Sequence, residues 1–105
     1  MFARVVECQA KDGLGVHIST RVTNDVLPIL KEQPGFVDFF ALFDKANAER
    51  LLCISFWISR EDAEDYHRRH YETIANVLEP VLESPPTLKT FTVSASTAHR
   101  IARAA

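Results

Sequence analysis

Glycine and cysteine are scarce in this chain: three Gly and two Cys among 105 residues, with a single Met and a single Trp. With so few Gly, 47% hydrophobic and 25% charged residues, the composition excludes disordered, fibrous and low-complexity chains and predicts a packed core. Neither Cys8 nor Cys53 belongs to a paired Cys motif. Both fall in strand-like segments, where free Cys is commonly buried, so two reduced core thiols are expected, with a disulfide as the minor alternative. Positive charge is not in excess either. The net charge is −2, with Lys and Arg spread among Asp and Glu. The basic stripe that nucleic-acid binding requires is missing, so nucleic acid is not an expected partner. No apolar run approaches membrane-spanning length, and the opening MFARVVECQAKDG has Arg, Glu and Lys where a signal peptide needs an unbroken apolar stretch. A cytoplasmic protein without a membrane partner is expected. There is no GxGxxG, phosphate loop or nucleophile elbow, which leaves nucleotide cofactors without local support.

What is present fits one domain over residues 1–105, with a core over about residues 2–97 and a tail over 98–105. A chain of this length buries roughly two thirds of its unfolded surface. Residues 2–10 are β-branched and apolar with single polar interruptions, a strand ending at Lys11-Asp12-Gly13. From Leu14 to about Gln33, apolar residues keep helical spacing until Pro34-Gly35, with a kink or break expected near Pro28. An aromatic run from Phe36 to Asp44 and the segment Arg50–Ile58 read as a strand hairpin. Ser59 is a good N-cap, and Glu61, Asp62 and Glu64 suit the positive end of a helix running to about Glu83. Residues 87–97 alternate as a fourth strand, and the tail has some helical tendency.

The order β-α-β-β-α-β is the α+β, ferredoxin-like arrangement of a four-stranded antiparallel sheet with both helices on one face. Strands two and three are apolar on both parities: Phe36, Phe40 and Leu42 against Val37, Phe39 and Phe43, then Leu51, Cys53 and Trp57 against Leu52, Ile54 and Phe56. Two helices cover only one face, so the other exposes an aromatic patch unless a partner covers it. A homodimer formed sheet to sheet follows.

Trp57 to Tyr71, WISREDAEDYHRRHY, gathers the only Trp, both Tyr and two of the four His. On the second helix Ala63, His67, His70, Ile74 and Leu78 keep the spacing of an inward stripe, and Tyr66/His70 and His67/Tyr71 are pairs four residues apart. One meaning is a wet pocket lined by imidazole and phenol. The other is structural, since a half-buried His is commonly a satisfied core residue and Tyr commonly packs with its hydroxyl in solvent. His67 and His70 could also share a metal with Glu7 or Glu64, but no spacing is diagnostic and no metal is assigned. His17 and His99 are isolated and receive no role.

The Gln33-Pro34-Gly35-Phe36 turn, the Phe56-Trp57 strand end and the Ser-x-Glu-Asp-Ala…Tyr-His helix start resemble the antibiotic biosynthesis monooxygenase domain family over about residues 2–97. The resemblance implies a dimeric α+β barrel. In enzymatic members it implies a cavity between sheet and helices where oxygen meets a phenolic, quinol or polyketide substrate without a protein-supplied cofactor. Haem-degrading members carry Asn on the first strand and Trp and His on the second helix. The corresponding places here hold Glu7, Tyr66 and Asn76, which argues against haem degradation. In many members a helix His follows the strand-three Trp by nine or ten residues, and His67 fits that place.

Cofactor-free oxygenation needs an electron-rich phenolate or enolate, hence a base of near-neutral pKa and a dry chamber. Expected roles are His67 or His70 as base, Tyr66 and Tyr71 orienting the substrate oxygen, Asn76 as a donor to a developing oxyanion, and Trp57 with Phe56 as walls. The competing function is a non-enzymatic dimeric barrel that binds a small hydrophobic ligand or serves as an assembly module. Sheet-to-sheet pairing is checked by light scattering, where a dimer is expected at micromolar concentration; a stable monomer there overturns it.

Overall fold

A computed structural model describes residues 1–101. The elements are β1 (Phe2–Gln9), α1 (Gly15–Arg21), a π-helical segment (Val22–Val26), α2 (Leu27–Lys31), β2 (Phe36–Phe43), β3 (Arg50–Trp57), α3 (Arg60–Leu78), a 3₁₀ turn (Glu79–Val81) and β4 (Thr87–Thr92). All neighbouring strands are antiparallel, in the order β2-β3-β1-β4. This is the ferredoxin-like α+β architecture that the segment order predicts.

Local chemistry explains the element ends. Gly13 and Gly35 both take positive φ, and both are third in a turn closed by a backbone hydrogen bond, Leu14 N–H to Lys11 O and Phe36 N–H to Gln33 O. Pro34 followed by Gly35 supplies the residues that a type II turn requires. Ser59 caps α3 as expected: its hydroxyl accepts from the Asp62 N–H at 3.2 Å and donates to the Asp62 carboxylate at 3.0 Å. The irregularity expected at Pro28 lies just before it, as the π-helical segment Val22–Val26. Proline offers no N–H to the preceding turn and its ring crowds a carbonyl there, so the helical ladder widens. Helix α3 ends at Leu78 rather than Glu83, continuing only as the 3₁₀ turn that contains Pro80. The fourth strand stops at Thr92 rather than residue 97. Of the tail's expected helical tendency, residues 98–101 show none, and 102–105 lie outside the described residues.

The parity expected for β2 changes at its start. The register shifts between Phe36 and Asp38, a bulge that lets Phe36 stand opposite Trp57 and Phe39 opposite Ser55. Phe36 and Phe39 therefore both pack against the helix-side core, whereas Phe40 and Leu42 stand opposite Ile54 and Leu52. Phe36 does not share a face with Phe40 and Leu42, because one extra residue reverses the alternation. On the helix side, Cys8, Leu51, Cys53 and Trp57 meet Ile18, Val22, Val26 and Leu30 of the first helical stretch and Ala63, Tyr66, Ile74 and Leu78 of α3.

Among the described residues no helix lies over the other face. Its register brings together Val5, Ile54 and Phe40, with Phe56 packed edge-on against Phe40 at 6.1 Å between centroids. Phe40 and Phe91 are about half exposed, at 53% and 52%. The chain after β4 crosses to the opposite edge, where His99 Nε2 meets the Asp38 carboxylate of β2 at 2.5 Å. Among the described residues no helix is long and apolar enough to cross a membrane.

Gly35 joins the turn to the α3 cap: a Cβ there would stand 2.1 Å from the Asp62 carboxylate, at a φ of +77°. Gly35→Ala should therefore cost about 1–3 kcal/mol from φ strain and disturbance of the cap. Denaturant melts measure it as a lower midpoint at unchanged slope; a wild-type midpoint contradicts it.

Candidate functional site

The aromatic residues between Trp57 and Tyr71 assemble into one column with a residue that the sequence reading passed over, Arg4. Trp57, fully buried at the end of β3, is fixed from three sides. Its indole N–H donates to the Ser55 hydroxyl at 3.0 Å, Phe36 meets it edge-on at 5.7 Å, and Tyr66 stacks on it at 5.0 Å. Tyr66 in turn stacks on His70 at 6.1 Å, and His67 stacks on Tyr71 at 4.4 Å. The two pairs predicted from the four-residue spacing thus form. The expected inward stripe of α3 is revised, however: Tyr66 is buried, and His67 and His70 are half-buried at its flanks. The large ring takes the central place because it can cover Trp57 while the smaller, wetter imidazoles keep access to solvent.

Arg4 enters this column from β1. It is only 3% exposed, because position 4 shares the helix-facing parity of Cys8. Its guanidinium lies over Tyr66 and Tyr71, 5.0 and 5.5 Å from the ring centroids, and Nη2 donates to His67 Nδ1 at 2.8 Å. These cation–π contacts partly replace the hydration that the charge has lost. An arginine has donors only, so His67 Nδ1 must be the bare nitrogen, and neutral His67 carries its proton on Nε2. Burial and the neighbouring Arg4 charge hold the His67 pKa below its ordinary value. Burial pushes the Tyr66 phenol up to about 12 and raises Tyr71 as well. Burial lowers the Arg4 pKa, opposed by the two tyrosines. At neutral pH the cluster is thus a guanidinium cation held by three uncharged rings.

Two spaces meet at Arg4. An open cleft of about 330 Å³ is bordered by Arg4, His67, Phe2, Ala63, Leu88 and Thr90, with Arg60, Glu64 and Arg68 at its rim. Behind it, between sheet and helices, side chains including Tyr66, Tyr71, Phe39 and Cys53 close around a void of about 50 Å³. Cys8 and Cys53 are free, buried and hydrogen-bonded to one another beside this void.

The remaining expected site residues fall elsewhere. Phe56 is on the uncovered sheet face against Phe40, so it does not wall this space; its parity is opposite to that of Trp57. Asn76 borders a separate surface groove near Pro80 and Pro85. His70 touches the column through Tyr66 but borders neither space at Arg4. For the metal alternative, no group of three His, Cys, Asp or Glu able to hold one ion occurs among the described residues. Glu7 is paired with Arg50 and Lys89 instead. The one sign of Arg4 in the sequence was a charged residue two and four positions before Val6 and Cys8, on the apolar parity of a strand.

Fold and cleft together define a small ferredoxin-like domain with an aromatic pocket on the helix side of its sheet. The sequence matches the family model for antibiotic biosynthesis monooxygenase over residues 1–77, and the chain belongs to that family. Solved structures share the fold at low identity. A Nitrosomonas europaea protein provisionally assigned as an antibiotic biosynthesis monooxygenase is 16% identical, with a TM-score of 0.76 over 90% of this chain and 100% of its own. A similarly assigned Bordetella bronchiseptica protein is 9% identical, with a TM-score of 0.79 over 90% and 97%. A variant of SnoaB, a cofactor-independent oxygenase from Streptomyces nogalater, is 14% identical, with a TM-score of 0.78 over 93% and 97%. No curated protein matches at the sequence level.

The state of His67 is open to measurement. Long-range ¹H–¹⁵N NMR should find the Nε2–H tautomer and a titration midpoint below the ordinary 6.5. Arg4→Met, which removes the adjacent charge, should raise that midpoint. A wild-type midpoint above 6.5 contradicts the geometry.

Proposed function

We propose that the protein is a cofactor-independent monooxygenase for a small aromatic, quinol or polyketide-like substrate, working in the cytoplasm as a homodimer closed over the uncovered sheet face. The observation that carries this reading is the Arg4–His67 pair bordering the 330 Å³ cleft, backed by Tyr71, which stacks on His67 from the inner side. Each protomer contributes this ferredoxin-like domain, with Trp57 as the inner wall of the column.

The chemistry follows from the groups present. A phenolic O–H entering the cleft gives its proton to His67 Nδ1, while Arg4 transfers its N–H from that nitrogen to the oxygen that has become negative. A guanidinium placed in advance, in a site of low dielectric, favours the ionised substrate. His67 suits the task because it is neutral and ready to accept at physiological pH. Tyr66 stays protonated, so it does not compete as a base; it lines the inner void behind Arg4 and acts on the substrate only through that guanidinium. Tyr71, stacked on His67, holds the imidazole plane. The substrate anion supplies all four electrons: one oxygen atom of O₂ becomes a ring carbonyl as the phenol is oxidised to a quinone, and the other leaves as water with the hydroxyl proton and the displaced ring proton. His70 is the second candidate base, and Asn76, facing another groove, takes no part in this scheme.

The inner void of only about 50 Å³ favours a second reading, a non-enzymatic dimeric barrel that serves as an assembly module, since side chains already fill most of the space between sheet and helices. Oxygen uptake with a panel of quinols and naphthols separates the two. For an accepted substrate, His67→Ala should lower kcat/KM by about 10²- to 10⁴-fold, with a smaller effect from His70→Ala. The loss of rate on acidification should set in below pH 6.5, because the His67 pKa is lowered. If both substitutions leave turnover unchanged, neither histidine is the base; if no quinol is consumed, the non-enzymatic reading stands.

A further inference from the structure

A guanidinium buried without a carboxylate partner is an unusual object, and Arg4 is one. The ion pairs among the described residues join Arg50 to Glu7 and Asp44, Arg60 to Glu64, Arg68 to Asp65, Lys89 to Glu7 and His99 to Asp38, and Arg4 enters none of them. Glu7, the acidic residue of its own strand, lies three positions away on the opposite face of the sheet. Arg4 donates to His67 Nδ1 and to the Tyr66 phenol oxygen, and its Cζ lies over the rings of Tyr66 and Tyr71, both uncharged at neutral pH. A guanidinium has five N–H donors, so these two bonds leave donors free on the side that meets the cleft. Burying a charge is unfavourable unless it is paired, and neutral rings compensate it only partly.

The free side of Arg4 meets the 330 Å³ cleft, where the other charges cancel in pairs. Arg60 is bound to Glu64 at 2.7 Å, and Arg68 is held by Asp65 one turn back. Among the described residues, Arg4 is the positive charge of the cleft without a carboxylate partner. Around it stand apolar Phe2, Ala63 and Leu88, together with the Thr90 side chain. Apolar walls around one unpaired cation select a ligand that carries a single anionic group on an apolar body. The fork geometry of a guanidinium matches a carboxylate in two parallel hydrogen bonds.

We infer that the cleft is a receptor for an aromatic or similarly flat carboxylate, whose anionic group pairs with Arg4 while its ring lies between Phe2, Leu88 and the exposed edge of His67. As a statement about the substrate, this rests on the monooxygenase reading; as a statement about binding, it does not. Arg4 then serves as a binding residue with the partner that its own chain withholds.

Calorimetry with 1-naphthoate and its neutral isostere 1-naphthamide tests the inference on the full chain. Wild type should bind the carboxylate at least tenfold more tightly. The preference should vanish in Arg4→Gln and survive in part in Arg4→Lys, which keeps the charge but loses the fork. Equal affinity for the two probes in wild type, no binding of naphthoate at millimolar concentration, or a preference retained by Arg4→Gln each overturns it. If Arg4→Gln does not fold, as judged by circular dichroism, the wild-type protein still decides. The Arg4 Nε–H resonance should shift on adding naphthoate, and the His67 titration midpoint should rise as a negative charge arrives beside it; unmoved Arg4 and His67 signals reject the site. Carboxylate selectivity without oxygen uptake leaves this inference standing and removes the oxygenase. Turnover of neutral quinols without carboxylate selectivity does the reverse.

Discussion

The stacking of Tyr66 on Trp57 sets the rotation of α3, and the site depends on that rotation. Trp57 cannot move: the Ser55 hydroxyl holds its N–H, Phe36 holds its edge, and no water reaches it. With Tyr66 laid against that surface, a helix of 3.6 residues per turn must put His67 and Tyr71 on the flank that faces β1 and the cleft, and His70 on the next turn above Tyr66. Position 4 of β1 is where that flank meets the sheet. A small apolar residue there would complete an ordinary core; arginine instead places a charge against two phenols and an imidazole.

That charge divides the interior. Outside it lies a cleft of ligand size; behind it lies a void of about 50 Å³, room for a few waters but not for an aromatic ring. Arg4 borders both, so a ligand that drew its side chain outward would also change access to the inner space. The electrostatics follow the same division. Tyr66, deep in the column, is held strongly to its protonated form, while His67, at the cleft, is held to its neutral form by burial and by the cation beside it. Burial acts in opposite directions on the two pKa values because it disfavours the charged form of each group, an anion for tyrosine and a cation for histidine.

The opposite sheet face obeys a different constraint. Phe40, Leu42, Ile54 and Phe56 stand in register with no helix above them. An antiparallel sheet with two crossover helices can cover only one of its faces. The His99–Asp38 contact brings the chain after β4 to the β2 edge of this surface, which gives a residue isolated in sequence a defined place.

Sequence alone determined the order and type of the elements, because period-2 and period-3.6 patterns, the Pro34-Gly35 turn and the Ser59 cap are local signals that each act within a few residues. It also determined the Tyr66/His70 and His67/Tyr71 pairs, since a four-residue spacing on a helix leaves little choice. Tertiary structure decided which of those pairs turned inward, because both lie near the same stripe and only contact with Trp57 distinguishes them. It decided the face of Phe36, through a one-residue bulge that leaves no mark in composition. It alone brought Arg4 to His67, across 63 residues of chain. A charge on a strand is legible as an oddity in one dimension; which rings surround it, and which carboxylates do not, is settled only when the strand and the helix are packed together.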